Sequence, residues 1–164
     1  MDKNSEYVID NVWEDKTEDL QNEIIEFWVA HGALPREQAM ERVKQVFCVG
    51  RDSSGNIAGV ATVYPQFNDR LENSFYYYRS FVAPDHRQVS LARNLLKFTR
   101  DDLNKAFVKG VNTRCIGMIV EVENKYFKKY HNDGVWPDVD FVYIGKNNRG
   151  DHVRVYYFEG ARIS

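Results

Sequence analysis

Cysteine is scarce. Cys48 and Cys115 are the only two in the chain and form no CxxC pair, which excludes a disulfide framework and the common thiolate zinc or redox motifs. Charge of one sign is also lacking, with 22 Lys and Arg against 24 Asp and Glu and a formal net charge of −2. Strong nonspecific nucleic-acid binding needs a dense basic footprint, and this balance does not supply one. It supplies no polybasic membrane anchor either. No apolar run approaches the roughly 18 residues of a membrane span, and the polar, acidic segment MDKNSEYVIDNVWEDK has no signal-peptide core. No internal repeat, low-complexity tract or Pro/Gly/Ser linker divides the chain. His31, His131 and His152 show no ligand spacing, so no metal site is expected. The reading is a soluble, reduced, cytoplasmic protein with neither nucleic acid nor membrane as partner.

What is present suits one packed core. The 164 residues make a single domain over 1–164. A domain of this size buries about 70% of its unfolded surface. Forty-three per cent of residues are hydrophobic, and 10 Phe, 10 Tyr and 3 Trp argue against disorder. Residues 7–13 open as a strand. Thr17 and Asp19 start a helical stretch that carries Leu20, Ile24, Phe27 and Trp28 at helical spacing and stops at Gly32. Pro35 begins a second helix.

The period then changes to two. Strands are predicted at 45–52 and 57–67, joined by the SSGN turn, and at 74–82, a run of β-formers ended by Pro84. Residues 90–107 read as a long amphipathic helix, 115–123 as a strand, and 124–134 as a short helix closed by Gly134. A last hairpin joins 140–146 to 152–159 through NNRGD. The order β-α-α-β-β-β-α-β-α-β-β, with one long crossover helix between central strands, predicts an α+β fold with a partly antiparallel sheet.

The most informative segment is the turn from the strand ending at Val82 into the helix that starts near Ser90. Helix starts expose unpaired N–H groups at the positive end of the macrodipole and favour phosphate-like anions. Ser90 and Ala92 are small enough for close approach, and Arg87 adds positive charge. Here the sequence resembles the GNAT superfamily of acyl-CoA-dependent N-acyltransferases, whose signature is V-x-P followed by R/Q-x-x-G-x-G/A at a helix start. This chain has Val82-Ala83-Pro84, then Arg87-Gln88-Val89-Ser90-Leu91-Ala92. Serine replaces the family's preferred glycine at position 90. Asn124, Tyr130 and Gly134 match a second family pattern, with Val135 in place of Phe and the spacing from Asn124 about one residue short. The element order matches over nearly the whole chain.

The resemblance implies a mostly antiparallel sheet of about seven strands, flanked by helices, with splayed central strands. It implies acetyl-CoA as co-substrate and no metal, with the coenzyme held by Phe81, Val82, Arg87, Gln88, Val89, Ser90, Leu91, Ala92 and Asn124. Backbone amides across 87–92 would hold the pyrophosphate, the pantetheine would pair along strand 74–82, and a backbone N–H near Phe81 or Val82 would stabilise the oxyanion. Tyr130 would be the general acid, with Tyr126 its rival four residues away on the same helix face.

The base is left open. Period-2 alternation puts Glu121 and Glu123 on one strand face, at the end where the central strands should part. A lysine-type amine, with a pKa of roughly 10.4, needs to shed a proton before it attacks, and these carboxylates are the first candidates to receive it. Glu72 and Asp85 are loop alternatives, and His86 reads as a surface loop residue beside the anion turn. Tyr76, Tyr77 and Tyr78 alternate, so either Tyr77 or the pair Tyr76/Tyr78 faces a cleft. Phe67 and Trp136 are candidates for an acceptor pocket. Lys125, Lys128 and Lys129 read as a solvated helix face that is also within reach of the coenzyme's adenosine phosphate. The expected reaction is direct acetyl transfer to a small-molecule or peptide amine in a ternary complex. The alternatives are a non-catalytic acyl-CoA or anionic-ligand binding module, or an enzyme using an acyl-carrier-protein donor. Exposed strand edges leave a homodimer open.

Overall fold

The computed structural model describes residues 7–87 and 90–163. Seven strands form one mixed sheet: β1 (Val8–Asn11), β2 (Val46–Arg51), β3 (Ile57–Asn68), β4 (Asn73–Val82), β5 (Gly117–Val122), β6 (Val142–Lys146) and β7 (His152–Tyr157). Their order is β1-β2-β3-β4-β5-β7-β6. The pairs β1/β2, β2/β3, β5/β7 and β6/β7 are antiparallel, and β4/β5 is parallel. Among the described residues, four α-helices flank the sheet: α1 (Glu18–Ala30), α2 (Arg36–Arg42), α3 (Leu91–Val108) and α4 (Lys125–Tyr130). The chain clusters into two compact units, one of residues 1–63 and 80–99, the other of 64–79 and 100–164.

In the first unit, α1 begins where Thr17 accepts a hydrogen bond from the Leu20 N–H (3.1 Å), with Glu18 and Asp19 in its first turn. It ends in a Schellman motif. Gly32 takes a φ of +66°, its N–H donates to the Val29 carbonyl, and the Ala33 N–H donates to that of Trp28. Ile24, Ile25, Phe27 and Trp28 form the buried face of α1 and join Val46, Val49, Ile57 and Val60 of the sheet. Gly50 of β2 and Gly59 of β3 make room for α3. A Cβ at Gly59 would stand 3.0 Å from Leu95 and 3.3 Å from Val82, and one at Gly50 3.1 Å from Leu91. Leu91 and Leu95 are fully buried, which stabilises by about 2 kcal/mol each. Thr99, also buried, donates to the Leu95 carbonyl at 2.8 Å.

In the second unit, β5 lies between β4 and β7. Phe75, Tyr77, Ile119, Val153 and Val155 form one buried cluster. Arg154 is 1% exposed. Its guanidinium lies 4.4 Å from the centre of the Trp136 ring and points at the carbonyls of His131, Gly134 and Phe141 at 3.4–3.5 Å. Burial pushes its pKa down from the usual arginine value, against the fields of Asp133 and Tyr143. β6 carries a register irregularity between Tyr143 and Gly145, the latter at φ +122°.

The predicted element order is the observed one, with two differences at the edges. The helix expected over 124–134 ends at Tyr130. The His131 carbonyl is taken by the Trp136 indole N–H (2.8 Å), and Val135 is drawn into an isolated bridge with Val142. The turn after β4 contains a 3-10 helix at Pro84–His86.

Gly117 has backbone on its open side: an added Cβ would collide with the Tyr156 carbonyl of the neighbouring strand. Gly117→Ala is expected to lower unfolding stability by about 2–3 kcal/mol, read as a shift of the urea midpoint. An unchanged midpoint would mean that β5 and β7 are not held at this spacing.

Candidate active site

Two places carry the site chemistry expected from the sequence, one in each unit. In the first unit, β4 ends at Val82, and the Ala83 N–H donates to the Ala58 carbonyl (2.8 Å). The Arg87 side chain folds back, its Nε donating to the Val82 carbonyl at 3.0 Å with the guanidinium 5.4 Å from the Phe81 ring centre. At the start of α3 the Asn94 N–H donates to the Ser90 carbonyl (2.9 Å). Leu91 and Ala92 are the first two residues of α3, in the turn whose N–H groups an α-helix leaves to outside acceptors. The Leu91 side chain belongs to the core, so only its backbone is available to a ligand. Gln88 and Val89 lie outside the described residues. His86, read from sequence as a surface residue, is partly buried. The Tyr7 hydroxyl lies 2.6 Å from its Nδ1, and Asp52 lies 3.8 Å from its Nε2.

In the second unit, β4 and β5 pair in parallel at only three positions: Tyr76 with Met118, Tyr77 with Ile119 and Tyr78 with Val120. The ladder stops there, and the next residues, Arg79 and Glu121, line a cavity of about 130 Å³ together with Tyr64, Tyr77, Tyr78, Glu123 and Arg149. Ligand pockets usually run to roughly 300–1,000 Å³, so this one accommodates a small polar head rather than a whole ligand. A second hollow of about 150 Å³ adjoins it through Tyr77 and Glu121 and is lined also by Asn68, Arg70, Lys146 and Asn147. The two candidate carboxylates therefore share one cavity. Glu121 Oε2 accepts from the Asn147 side-chain amide at 2.6 Å. Arg149 approaches Glu121 at 3.8 Å and Glu123 at 3.6 Å.

The tyrosines divide differently from simple alternation. Tyr77 and Tyr78 both line the cavity because it opens where the ladder ends. Tyr76 packs near Phe158, and burial pushes its hydroxyl up to about 12. Tyr77 stacks on Tyr64 with 5.5 Å between centroids, and its hydroxyl accepts from Asn68 (2.9 Å). Arg79 covers the Tyr64 ring at 4.7 Å.

Tyr130 lines neither cavity. It stands 60% exposed at the end of α4, its ring 4.8 Å from that of Tyr126, with the Lys129 ammonium 5.2 Å from its centre. Asn124 caps the same helix, its Oδ1 accepting from the N–H groups of Tyr126 (2.8 Å) and Phe127 (3.3 Å). Lys128, read as part of a solvated face, is bonded to buried Asp151 at 3.1 Å. Trp136 is tied to His131 as described, and Phe67 is exposed. Glu72 has a positive φ of 55° in the β3–β4 turn, and Asp85 is exposed in the 3-10 turn.

Sequence reasoning missed Tyr64, Arg79, Asn147 and Arg149. Arg79 did leave a signal, as a single charge inside a run of β-formers.

No family model and no curated protein matches this sequence. Solved structures do. The acetyl-CoA-bound AtaTR structure aligns over 96% of this chain and 96% of its own, with TM-score 0.61 and 13% identity. A ribosomal-protein-S5-alanine acetyltransferase from Vibrio fischeri aligns over the same shares with TM-score 0.60 and 11% identity. A GNAT-family acetyltransferase from Listeria monocytogenes covers 92% of this chain and 94% of its own at TM-score 0.51 and 15% identity. The chain has the GNAT fold. In GNAT-fold terms, the short parallel β4/β5 ladder is the pair of splayed central strands that the sequence resemblance implies. Among the described residues, no group of three or more His, Cys, Asp and Glu is arranged to hold a metal ion, and no helix is long and apolar enough to cross a membrane.

Lys128 of α4 is paired with Asp151 of the hairpin that carries Arg149. Asp151 is held below the usual carboxylate range, first by the Lys128 hydrogen bond and further by those from Asn147 and Arg149. A carboxyl depressed in the folded state contributes stability that is present above its unfolded pKa of about 3.9 and lost as pH falls through the folded value. Lys128→Met is therefore expected to lower stability near pH 7 and to flatten its loss on acidification, so that the variant and wild-type curves draw together towards pH 3, read by urea unfolding between pH 3 and 7. Curves separated by the same amount at every pH would contradict that coupling.

Proposed function

We propose that this protein is an acetyl-CoA-dependent N-acetyltransferase acting on an amine by direct transfer in a ternary complex. The observation that carries this reading is the end of the β4/β5 ladder after Tyr78 and Val120, where two carboxylates line the resulting cavity within the GNAT fold. Acetyl-CoA in a neighbour of that fold supports the donor. Backbone N–H groups at 87–92, with Arg87, Gln88 and Ser90, hold the pyrophosphate. Phe81 and Val82 line the pantetheine, and Asn124 contributes from the start of α4. The acceptor is a small-molecule or peptide amine, and residues 1–164 act as one catalytic domain in the cytoplasm.

In the reaction the amine nitrogen attacks the thioester carbonyl carbon. A C–N bond forms and the C–S bond breaks. The amine proton passes to Glu121 or Glu123, directly or through water, and the departing thiolate takes a proton from the Tyr130 hydroxyl. No thiol of the chain is suited to a covalent intermediate. Cys48 and Cys115 are buried, and burial pushes the Cys115 thiol up to about 11.

A non-catalytic acyl-CoA binder is the second reading. Ser90 in place of glycine and the engagement of both carboxylates by Arg149 favour it.

Coenzyme A is expected to raise the melting temperature of the wild type, and Arg87→Glu to abolish that rise by opposing the diphosphate charge. With acetyl-CoA and a panel of amines, the enzyme reading requires thiol release, whereas stabilisation without turnover selects the binder. Tyr130→Phe should lower kcat about 10- to 100-fold and alter the pH profile. An unchanged rate across pH would remove Tyr130 from the mechanism.

A further inference from the structure

The cavity carries its own cation. Two carboxylates, Glu121 and Glu123, and two guanidinium groups, Arg79 and Arg149, are the charged groups of its lining. The arginines are held in different ways. Arg79 belongs to β4 and lies over the Tyr64 ring. Arg149 belongs to the β6–β7 turn, and its side chain is 64% exposed.

Arg149 is anchored at one end. Its Nε donates to Asp151 Oδ2 at 3.1 Å, and Asp151 is fixed in turn by Lys128 and by its backbone bonds to Asn147. The far nitrogen, Nη2, reaches Glu123 at 3.6 Å and Glu121 at 3.8 Å. Those separations exceed a good charge-assisted hydrogen bond, so the contact is ionic and easily exchanged. Glu121 keeps its bond from Asn147 when Nη2 moves away.

We propose that Arg149 competes with the acceptor for Glu121 and Glu123, and that the cavity selects a protonated primary amine by exchanging one positive charge for another. This deepens the acetyl-transfer reading and rests on it for its turnover arm. With Nη2 in place the lining is charge-balanced. With Nη2 turned to solvent about the Asp151 anchor, it is short of one cation. An arriving ammonium restores the balance and places its nitrogen beside the carboxylates that then accept its proton. A neutral molecule of the same shape restores nothing and leaves the lining one positive charge short. The small volume fits this use, because an ammonium group enters while the rest of the acceptor stays outside.

The experiment compares wild type, Arg149→Gln and Arg149→Lys. Binding of 1,5-diaminopentane and of its neutral counterpart 1,5-pentanediol is followed at pH 7 by amide chemical shifts of residues 121–123 and 147–151. Arg149→Gln should bind the diamine about three- to tenfold more tightly than wild type, with the diol unaffected. Arg149→Lys, which keeps the charge, should stay within twofold of wild type. For any amine that is turned over, KM should fall by a similar factor in Arg149→Gln. Equal or weaker diamine binding by Arg149→Gln, or equal tightening by Arg149→Lys, overturns the exchange. The two readings fail separately. Absence of turnover with tightened diamine binding removes the transferase and leaves the exchange standing. Turnover whose KM ignores Arg149→Gln removes the exchange and leaves the transferase.

Discussion

Parallel strands cannot be joined by a tight turn, and that constraint organises this molecule around β4 and β5. Between Val82 and Gly117 the chain runs through a 3-10 turn and the 18 residues of α3 before it can lay β5 beside β4. The crossover supplies the helix start that the anion reading depends on. The shortness of the ladder supplies the cavity. Three register pairs join the strands, and the next residues along, Arg79 and Glu121, line the cavity. A longer ladder would stabilise the sheet and close the place where charged side chains meet.

Around that opening, the polar groups are linked in series. Asn147 closes the β6–β7 turn by accepting from the N–H groups of Arg149 and Asp151, and its amide reaches across to Glu121. Lys128 of α4 reaches Asp151 on the same turn. Arg154 adds a buried cation held by aromatic faces and main-chain carbonyls, which fixes the segment after α4 from beneath. Removing one partner from such an arrangement leaves another charge exposed to a poor environment, so its parts are expected to act together rather than additively.

Much of this was legible in the residues. The two periods, 3.6 and 2, separated helices from strands, and Thr17, Gly32 and the β6–β7 turn residues marked ends that the structure uses. The short parallel ladder agrees with the splay implied by the GNAT resemblance, and alternation placed Glu121 and Glu123 on one face. What escaped depended on contacts between distant segments. The helix after Asn124 looked longer because nothing local reveals that Trp136 takes the His131 carbonyl or that Val135 bridges to Val142. Arg149 looked like an ordinary turn residue, since its approach to Glu121 and Glu123 depends on the fold of a hairpin rather than on spacing. Alternation assigned Tyr77 and Tyr78 to opposite faces, yet both line the cavity, because it opens at the end of the ladder rather than on one face of it.

The outermost strands carry a consequence of their own. β1 is four residues long, and β6 is interrupted between Tyr143 and Gly145 by the irregularity that gives Gly145 its positive φ. A flat, uninterrupted border would template the addition of further chains; one that is brief and another that is broken discourage it. Irregularity at the margin thus serves as a guard against runaway self-association, a protection that a more regular β6 would forfeit.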